Sequence, residues 1–376
     1  MRPTIDLAVT NDLATDNRVH KMAVSLQGMG FTVRLTGRKR RNSPPLSPRS
    51  YPTHRMRLIF DKGPLFYAEF NIRMFGRLLF SAARIVVAND LDTLPACYLA
   101  AYLRRKKLVF DSHEYFTQVP ELVGRPKVQA IWKKLERLLL PGVKQGITVC
   151  ESIAELYQTE YGVPFRVVRN LPLRTPNVTM PPGKKIDTNG QKVILYQGAL
   201  NLGRGLEQAI RAMQYIEQAQ LWLAGDGDLT AELHTLVQQL NLGDKVKFLG
   251  RIPLHELPAI TAQADLGLSI EEDLGLNYRF ALPNKLFDYI QQHVPVLVSN
   301  LPEMRKVVDN YRIGLVLDNH EPHNMARQFE QALYDTDRRN IWLSNLPQAA
   351  EELCWECEQP VLDEIFRDLR SFGRKN

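Results

Sequence analysis

The sequence predicts an α/β protein of two domains, each a parallel sheet with helices wound on both faces. Three observations carry that expectation. The chain of 376 residues is too long for one ordinary core and suits two domains of about 150–200 residues. Short apolar runs alternate with stretches of helical spacing, first over residues 4–170 and again over 192–318. Between them, 171–192 (LPLRTPNVTMPPGKKIDTNGQK) holds four prolines, two glycines and no periodicity, and reads as a linker.

Taken in order, residues 4–10 (TIDLAVT) form a first strand that ends in the polar turn NDLATDN. Val19, Met22, Ala23 and Leu26 then share one helical face, which Gly28 and Gly30 terminate. FTVRLTG (31–37), RIVVAND (84–90), KLVFDSH (107–113), GITVC (146–150) and FRVVRN (165–170) continue the strands, with helices over 93–105, 127–140 and 151–161. After the linker come strands at 192–198, 219–225, 245–250, 266–270, 295–299 and 314–318. Helices at 204–215, 228–240, 254–263, 284–292 and 302–309 separate them. In such sheets ligands bind outside the carboxyl ends of the strands, and two facing domains make the cleft between them the expected site.

Composition narrows the class. Charged residues are 24% and hydrophobic ones 44%, as in a globular chain. The formal charge of +7 is mild for this size and does not point to nucleic acid. Basic residues cluster in GRKRRN (37–42) and RRKK (104–107), either as solvated loop charge or as attraction to an anionic membrane surface. The segment 64–86 mixes Phe, Leu and Met with Arg73, Arg77 and Arg84; it is a core-facing helix or an interfacial one. The start MRPTIDLAVT lacks a signal-peptide pattern, and no apolar run reaches membrane-spanning length, so a cytoplasmic location is expected. Cys354 and Cys357 lack the second ligand pair of a structural zinc site, and no metal is expected.

Three stretches carry chemistry. YQGALNLGRGLEQAI (196–210) is strand, glycine turn, loop and helix; Gly198, Gly203 and Gly205 free backbone amides near a helix start, and Arg204 adds a cation. A P-loop would need a hydroxyl to hold Mg²⁺ where Gly205 stands, so the stretch reads as a metal-free phosphate site. Gly225 and Gly227 in LAGDGDL allow a ligand to approach the backbone, or make an ordinary turn. In LPNKLFDYIQQHVPVLVS, Pro283 starts a helix, placing Asn284 and Lys285 at its positive end and Asp288 one turn on, suited to ribose hydroxyls or to plain capping. In the first half, Asn11 in NDLATDNR and Asp111, His113 and Glu114 in FDSHEYF follow strands; His113 suits a hydrogen-bond donor or base.

These pieces in order, from TDNRVHKMAVSLQGMGFTV, DSHE and VVRNLP through YQGALNLGRGLEQAI, LAGDGD and LPNKLFDYIQQHVPVLVS to CWECE, resemble the retaining, nucleotide-sugar-dependent glycosyltransferases of family 4. The resemblance implies the GT-B fold: two Rossmann-like doubly wound domains facing across a cleft. Residues 1–170 would bind acceptor, 193–345 would bind the sugar nucleotide, and a C-terminal helix in 346–376 would pack back on the first domain. It implies that Arg204 binds the donor diphosphate, Gly225 and Gly227 lie near the nucleotide, Asp288 contacts ribose and His113 approaches the transferred sugar. Lys285 would assist at the phosphates, and no metal or other cofactor is needed. Retention by front-face attack and a glycan or lipid-linked acceptor follow from the same likeness, as does work at the inner face of the cell membrane in polysaccharide biosynthesis.

The chain departs from the family pattern at three places. Ala199 stands where the family has an arginine, Phe280 where it has a glutamate, and His293 where it has glycine. Glu271, Glu272 or Asp273 would then reach the sugar hydroxyls in place of Phe280. Two other classes fit parts of the sequence: a UDP-sugar 2-epimerase on the same architecture, and a non-catalytic basic scaffold for polyanions.

Overall fold

A computed structural model describes residues 2–119, 122, 124–174, 186–188 and 190–371. The chain divides into two compact units, one of Met1–Asn170 with Glu358–Asn376 and the other of Leu171–Cys357. Most of the expected linker, 175–185 and 189, lies outside the described residues.

The first unit has seven strands: β1 (Thr4–Asp12), β2 (Thr32–Lys39), β3 (Thr53–Arg57), β4 (Ile85–Asn89), β5 (Lys107–Ser112), β6 (Gly146–Thr148) and β7 (Phe165–Val167). They lie in the order β3-β2-β1-β4-β5-β6-β7, and all pairs are parallel. The second has six: β8 (Lys192–Gln197), β9 (Ala219–Ala224), β10 (Val246–Gly250), β11 (Leu266–Ser269), β12 (Val296–Ser299) and β13 (Gly314–Leu317). Their order, β10-β9-β8-β11-β12-β13, repeats the same winding. In each sheet the order of strand addition reverses once, between β1 and β4 and between β8 and β11. Those reversals open a crevice at the strands' carboxyl ends.

Both faces of each sheet are covered, which explains why the strands read as continuous apolar runs. In β8, Ile194 and Tyr196 enter one core layer while Val193 and Leu195 enter the other. In β9, Leu221 and Leu223 join the first layer and Trp222 and Ala224 the second. The period of two is that of a strand packed by helices on each side.

Two differences from the sequence reading have local causes, and one alternative it left open is resolved. β3 is a five-residue edge strand, THRMR, paired only with β2, too short and polar to show a pattern. The stretch 346–376 is not one helix on the first unit. The helix Thr336–Glu352 stays with the second unit, because Leu346, Ala349 and Leu353 are buried there and Gln291 Nε2 binds the carbonyls of Ala350 and Leu353. A new helix, Trp355–Ser371, then carries Phe366 into the first unit, 6.0 Å from the Phe31 ring and edge-on to it. Finally, the helix Gly63–Leu79 buries Phe66, Phe70, Met74 and Leu78 at a spacing of four, so it faces the core. Its Arg73 is spent on Glu69 and on the Arg57 carbonyl. No helix among the described residues is long and apolar enough to cross a membrane.

Candidate active site

In the second unit the crevice between β8 and β11 is organised by Glu271, two residues beyond β11 and fully buried. Its Oε1 accepts from Lys285 Nζ at 2.7 Å and from Arg204 Nη1 at 3.3 Å, and its Oε2 accepts from Ser269 Oγ at 3.0 Å. Burial alone would raise this carboxyl; Lys285 and then Arg204 hold it below its ordinary value. One carboxylate thus fixes two cations and leaves an excess of positive charge. Lys285 Nζ also sits 3.9 Å over the Tyr196 ring, and the Arg204 guanidinium 5.3 Å from that of Tyr278. The buried Arg204 Nε–H has no acceptor among the described residues.

The glycine loops bring this pair close to backbone. Gly205 has φ +68°, and a Cβ there would lie 2.4 Å from the Ile270 carbonyl oxygen. Gly225 has φ +155°, and a Cβ would fall 1.8 Å from the Gly198 oxygen, so the turns after β8 and β9 touch through backbone alone. Gly198 in turn is near the Lys285 side chain. Gly203 accepts from Glu272 N at 2.9 Å, and Leu202 from Tyr278 Oη at 3.0 Å, tying the loop after β8 to that after β11. Gly227 donates to Asp226 and Thr230 while the Asp228 N–H binds Asn201 Oδ1. After Gly205 the chain forms an α-helix over Leu206–Ala212 that continues as a 3₁₀ turn over Met213–Tyr215, so the α-helix itself is shorter than the expected 204–215.

Asp288 lies one turn into the helix Asn284–Gln291, half-buried, and accepts from Gln197 Nε2 at 3.1 Å; Gln197 Oε1 is held by Thr261 Oγ1 at 2.7 Å. Asn284 is exposed at the helix start. Of the three acids suggested near the sugar, Glu271 is consumed by its cations and Asp273 pairs with Arg279 at 2.9 Å. Glu272 is half-buried. Sequence reasoning missed His320, whose Nε2 is 3.0 Å from the Ile270 oxygen and 3.3 Å from Ser299 Oγ. Nothing in its local sequence marks it.

The first unit builds its own cluster at the ends of β4 and β5. His113 Nδ1 is 3.2 Å from Asp90 Oδ2, and Nε2 is 3.3 Å from Asp111 Oδ2, the latter without hydrogen-bond alignment. The His113 backbone N–H donates to Asp90 Oδ1 at 2.8 Å. Burial lowers the imidazole's affinity for a proton, but Asp90 and then Asp111 outweigh it and push the pKa up to about 9. The two carboxylates thus favour the protonated form of the imidazole, the form that donates from both ring nitrogens. Asp111 is fully buried, with one oxygen 2.6 Å from Arg18 Nη2 and the other 3.2 Å from Arg18 Nε. Burial raises the Asp111 carboxyl, yet Arg18 and then His113 leave it well below the usual range.

Asn11 is exposed and donates to Asp16 Oδ2 at 3.0 Å, and Glu114 is half-buried. Arg18, Asp90 and Asp92 were not singled out from sequence. The run NDLD after β4 and a charged residue on the buried face of the helix Asn17–Gly28 were the available signals.

Comparison with known proteins follows the two units. Residues 16–171 match the model for Glycosyltransferase Family 4, and residues 183–348 that for Glycosyl transferases group 1. An uncharacterized glycosyltransferase of Methanocaldococcus jannaschii is 27% identical over 172 residues, 44% of this chain and 42% of that protein. The match thus spans less than half the length of that curated relative. The sucrose-phosphate synthase of Thermosynechococcus elongatus superposes with a TM-score of 0.76 over 100% of both chains at 19% identity. HepE of Anabaena, solved with UDP and glucose, gives 0.73 over 98% of this chain and 100% of that one at 14% identity. At those identities the structural likeness is one of fold. The two family models between them take in both Rossmann-like units, and the chain belongs to the family 4 glycosyltransferases of GT-B fold.

Proposed function

We propose that the protein is a retaining glycosyltransferase that moves a hexose-type sugar from a nucleoside-diphosphate sugar to a glycan or lipid-linked acceptor. The observation that carries this reading is the buried Glu271 holding Lys285 and Arg204 at the β8–β11 crevice. The two cations are fixed before any ligand arrives, so they can stabilise charge developing on a departing diphosphate without reorganising. The unpartnered Arg204 Nε–H faces a need that a phosphate oxygen would meet. Asp288 supplies a carboxylate oxygen for ribose hydroxyls. The HepE complex with UDP and glucose is in keeping with a uridine nucleotide donor.

His113, protonated at neutral pH, donates a hydrogen bond to the transferred sugar. The acceptor's proton then passes to the leaving phosphate as the acceptor attacks the same face. These residues are asked to work without a metal. Exposed Leu99, Tyr102 and Leu103, at helical spacing and followed by Arg104 and Arg105, suit an anionic bilayer surface where a lipid-linked acceptor would lie. A thermal-shift screen across UDP-, GDP- and dTDP-sugars tests the donor reading: stabilisation by at least one is expected, and none across the panel refutes it. Co-flotation with anionic but not neutral vesicles tests the surface.

A further inference from the structure

Cys354 and Cys357 take no part in the donor site, yet they are set as a reactive pair. Cys354 is buried immediately before the helix Trp355–Ser371, and Cys357 is exposed in its first turn. The two Sγ atoms are 3.5 Å apart. Both thiols converge on one acceptor, the Glu351 carbonyl, at 3.3 Å from Cys354 and 3.4 Å from Cys357. The same oxygen accepts from Arg174 Nη2 at 3.1 Å, which gathers a guanidinium beside the sulfurs. A cation in that place favours thiolate. For Cys354, burial and the neighbouring thiol push the pKa up and Arg174 opposes them.

The turn is held from several sides. Cys357 N donates to the Cys354 oxygen at 3.0 Å and Trp355 N to the Pro172 oxygen at 2.7 Å. Arg174 N donates to Glu356 Oε2 at 2.9 Å. A disulfide has its sulfurs about 2.05 Å apart, so closure asks for a shift of about 1.5 Å between atoms already in contact. Among the described residues no group of three or more His, Cys, Asp or Glu could hold a metal ion. Cys357 is also the last residue of the second unit; the chain enters the first unit at Glu358.

We propose that Cys354 and Cys357 form a redox-active dithiol that closes to a disulfide when a small-molecule disulfide acts as oxidant. The exposed Cys357 thiolate attacks one sulfur of the oxidant and expels the other as a thiolate, leaving a mixed disulfide. Cys354 then gives up its proton and attacks Cys357 Sγ, which expels the second small thiolate. The protein loses two electrons and two protons, and the oxidant gains them as two thiols.

Native protein incubated with oxidised glutathione should lose about 2 Da and two alkylatable thiols, the cross-link mapping to residues 354–357, with recovery in dithiothreitol. Cys354→Ser should instead accumulate one glutathione on Cys357, and Cys357→Ser should show neither product. The proposal is overturned if folded wild type keeps both thiols alkylatable. It is equally overturned if wild type stops at a stable glutathione adduct, or if Cys357→Ser forms the same product. A Cys97→Ser, Cys150→Ser double variant that still closes supports the assignment, because those two buried thiols lie elsewhere in the fold.

Discussion

Arg204 and Lys285 lean on the same buried carboxylate, so removing either cation shifts the charge balance around Glu271. Arg204→Ala should weaken binding of a nucleoside diphosphate by about 1.5–3 kcal/mol, the range for a hydrogen bond to a charged group. Calorimetry showing unchanged affinity would remove Arg204 from the phosphate role. In the first unit, two groups make stability depend on pH in the same direction. His113 is raised to about 9, above its unfolded value, so its contribution is complete below about 6.5 and fades as pH climbs through about 9. Asp92 is pushed to about 8 by burial and then by Asp90, while Thr10 Oγ1 donates to its Oδ2 at 2.5 Å. A raised carboxyl binds its proton more tightly when folded, so this contribution is full below about 3.9 and falls progressively until pH reaches about 8. The first unit should therefore weaken between about pH 4 and 9, and Asp92→Asn should flatten the slope between about pH 4 and 8. Denaturant midpoints across the range would show it; a slope left unchanged in Asp92→Asn counts against a protonated Asp92.

At the scale of elements, the second unit depends on turns that approach each other through bare backbone. Gly225→Ala would set a methyl 1.8 Å from the Gly198 oxygen at φ +155°, a region close to glycine-only. The strain alone is worth about 1–3 kcal/mol, and the clash forces the β8 turn to move as well. Chemical denaturation should show at least that loss, and nucleotide binding should fall with it; a variant as stable as wild type would mean the turns are free to part. These glycines were legible because a backbone demand leaves a mark at its own position in the chain. So were the strands of both sheets other than β3, whose buried runs and intervening helices have local periods. Glu271 was one of three adjacent acids in EEDLGL, and only packing separates its role from those of Glu272 and Asp273. The Arg18–Asp111 pair joins residues far apart in sequence, and no local pattern couples them. The break at Leu353–Cys354 was invisible for a similar reason, since the helix before it is kept in the second unit by contacts with Gln291.

For the whole molecule, the decisive feature is that the chain leaves its first unit at Asn170 and returns to it at Glu358. The returning segment is bound by specific chemistry: Glu358 Oε1 accepts from Arg169 Nε at 2.9 Å and Nη2 at 2.6 Å, and its Oε2 from Arg169 N at 2.8 Å. Phe366 is fully buried beside Phe31. The first unit is thus completed by residues from the far end of the sequence, a long-range closure that costs chain entropy and slows assembly. Phe366→Ala should destabilise the first unit by about 3–5 kcal/mol, the cost of emptying an aromatic site in a core. Hydrogen exchange resolves where that loss falls. Faster exchange is expected across the strands of the first sheet, with β8, β9 and β11 protected as before, because Phe366 contributes to neither core layer of the second sheet. Equal loss of protection in both sheets would mean that the two units unfold as one, and that the returning helix stabilises the molecule as a whole rather than the unit it rejoins.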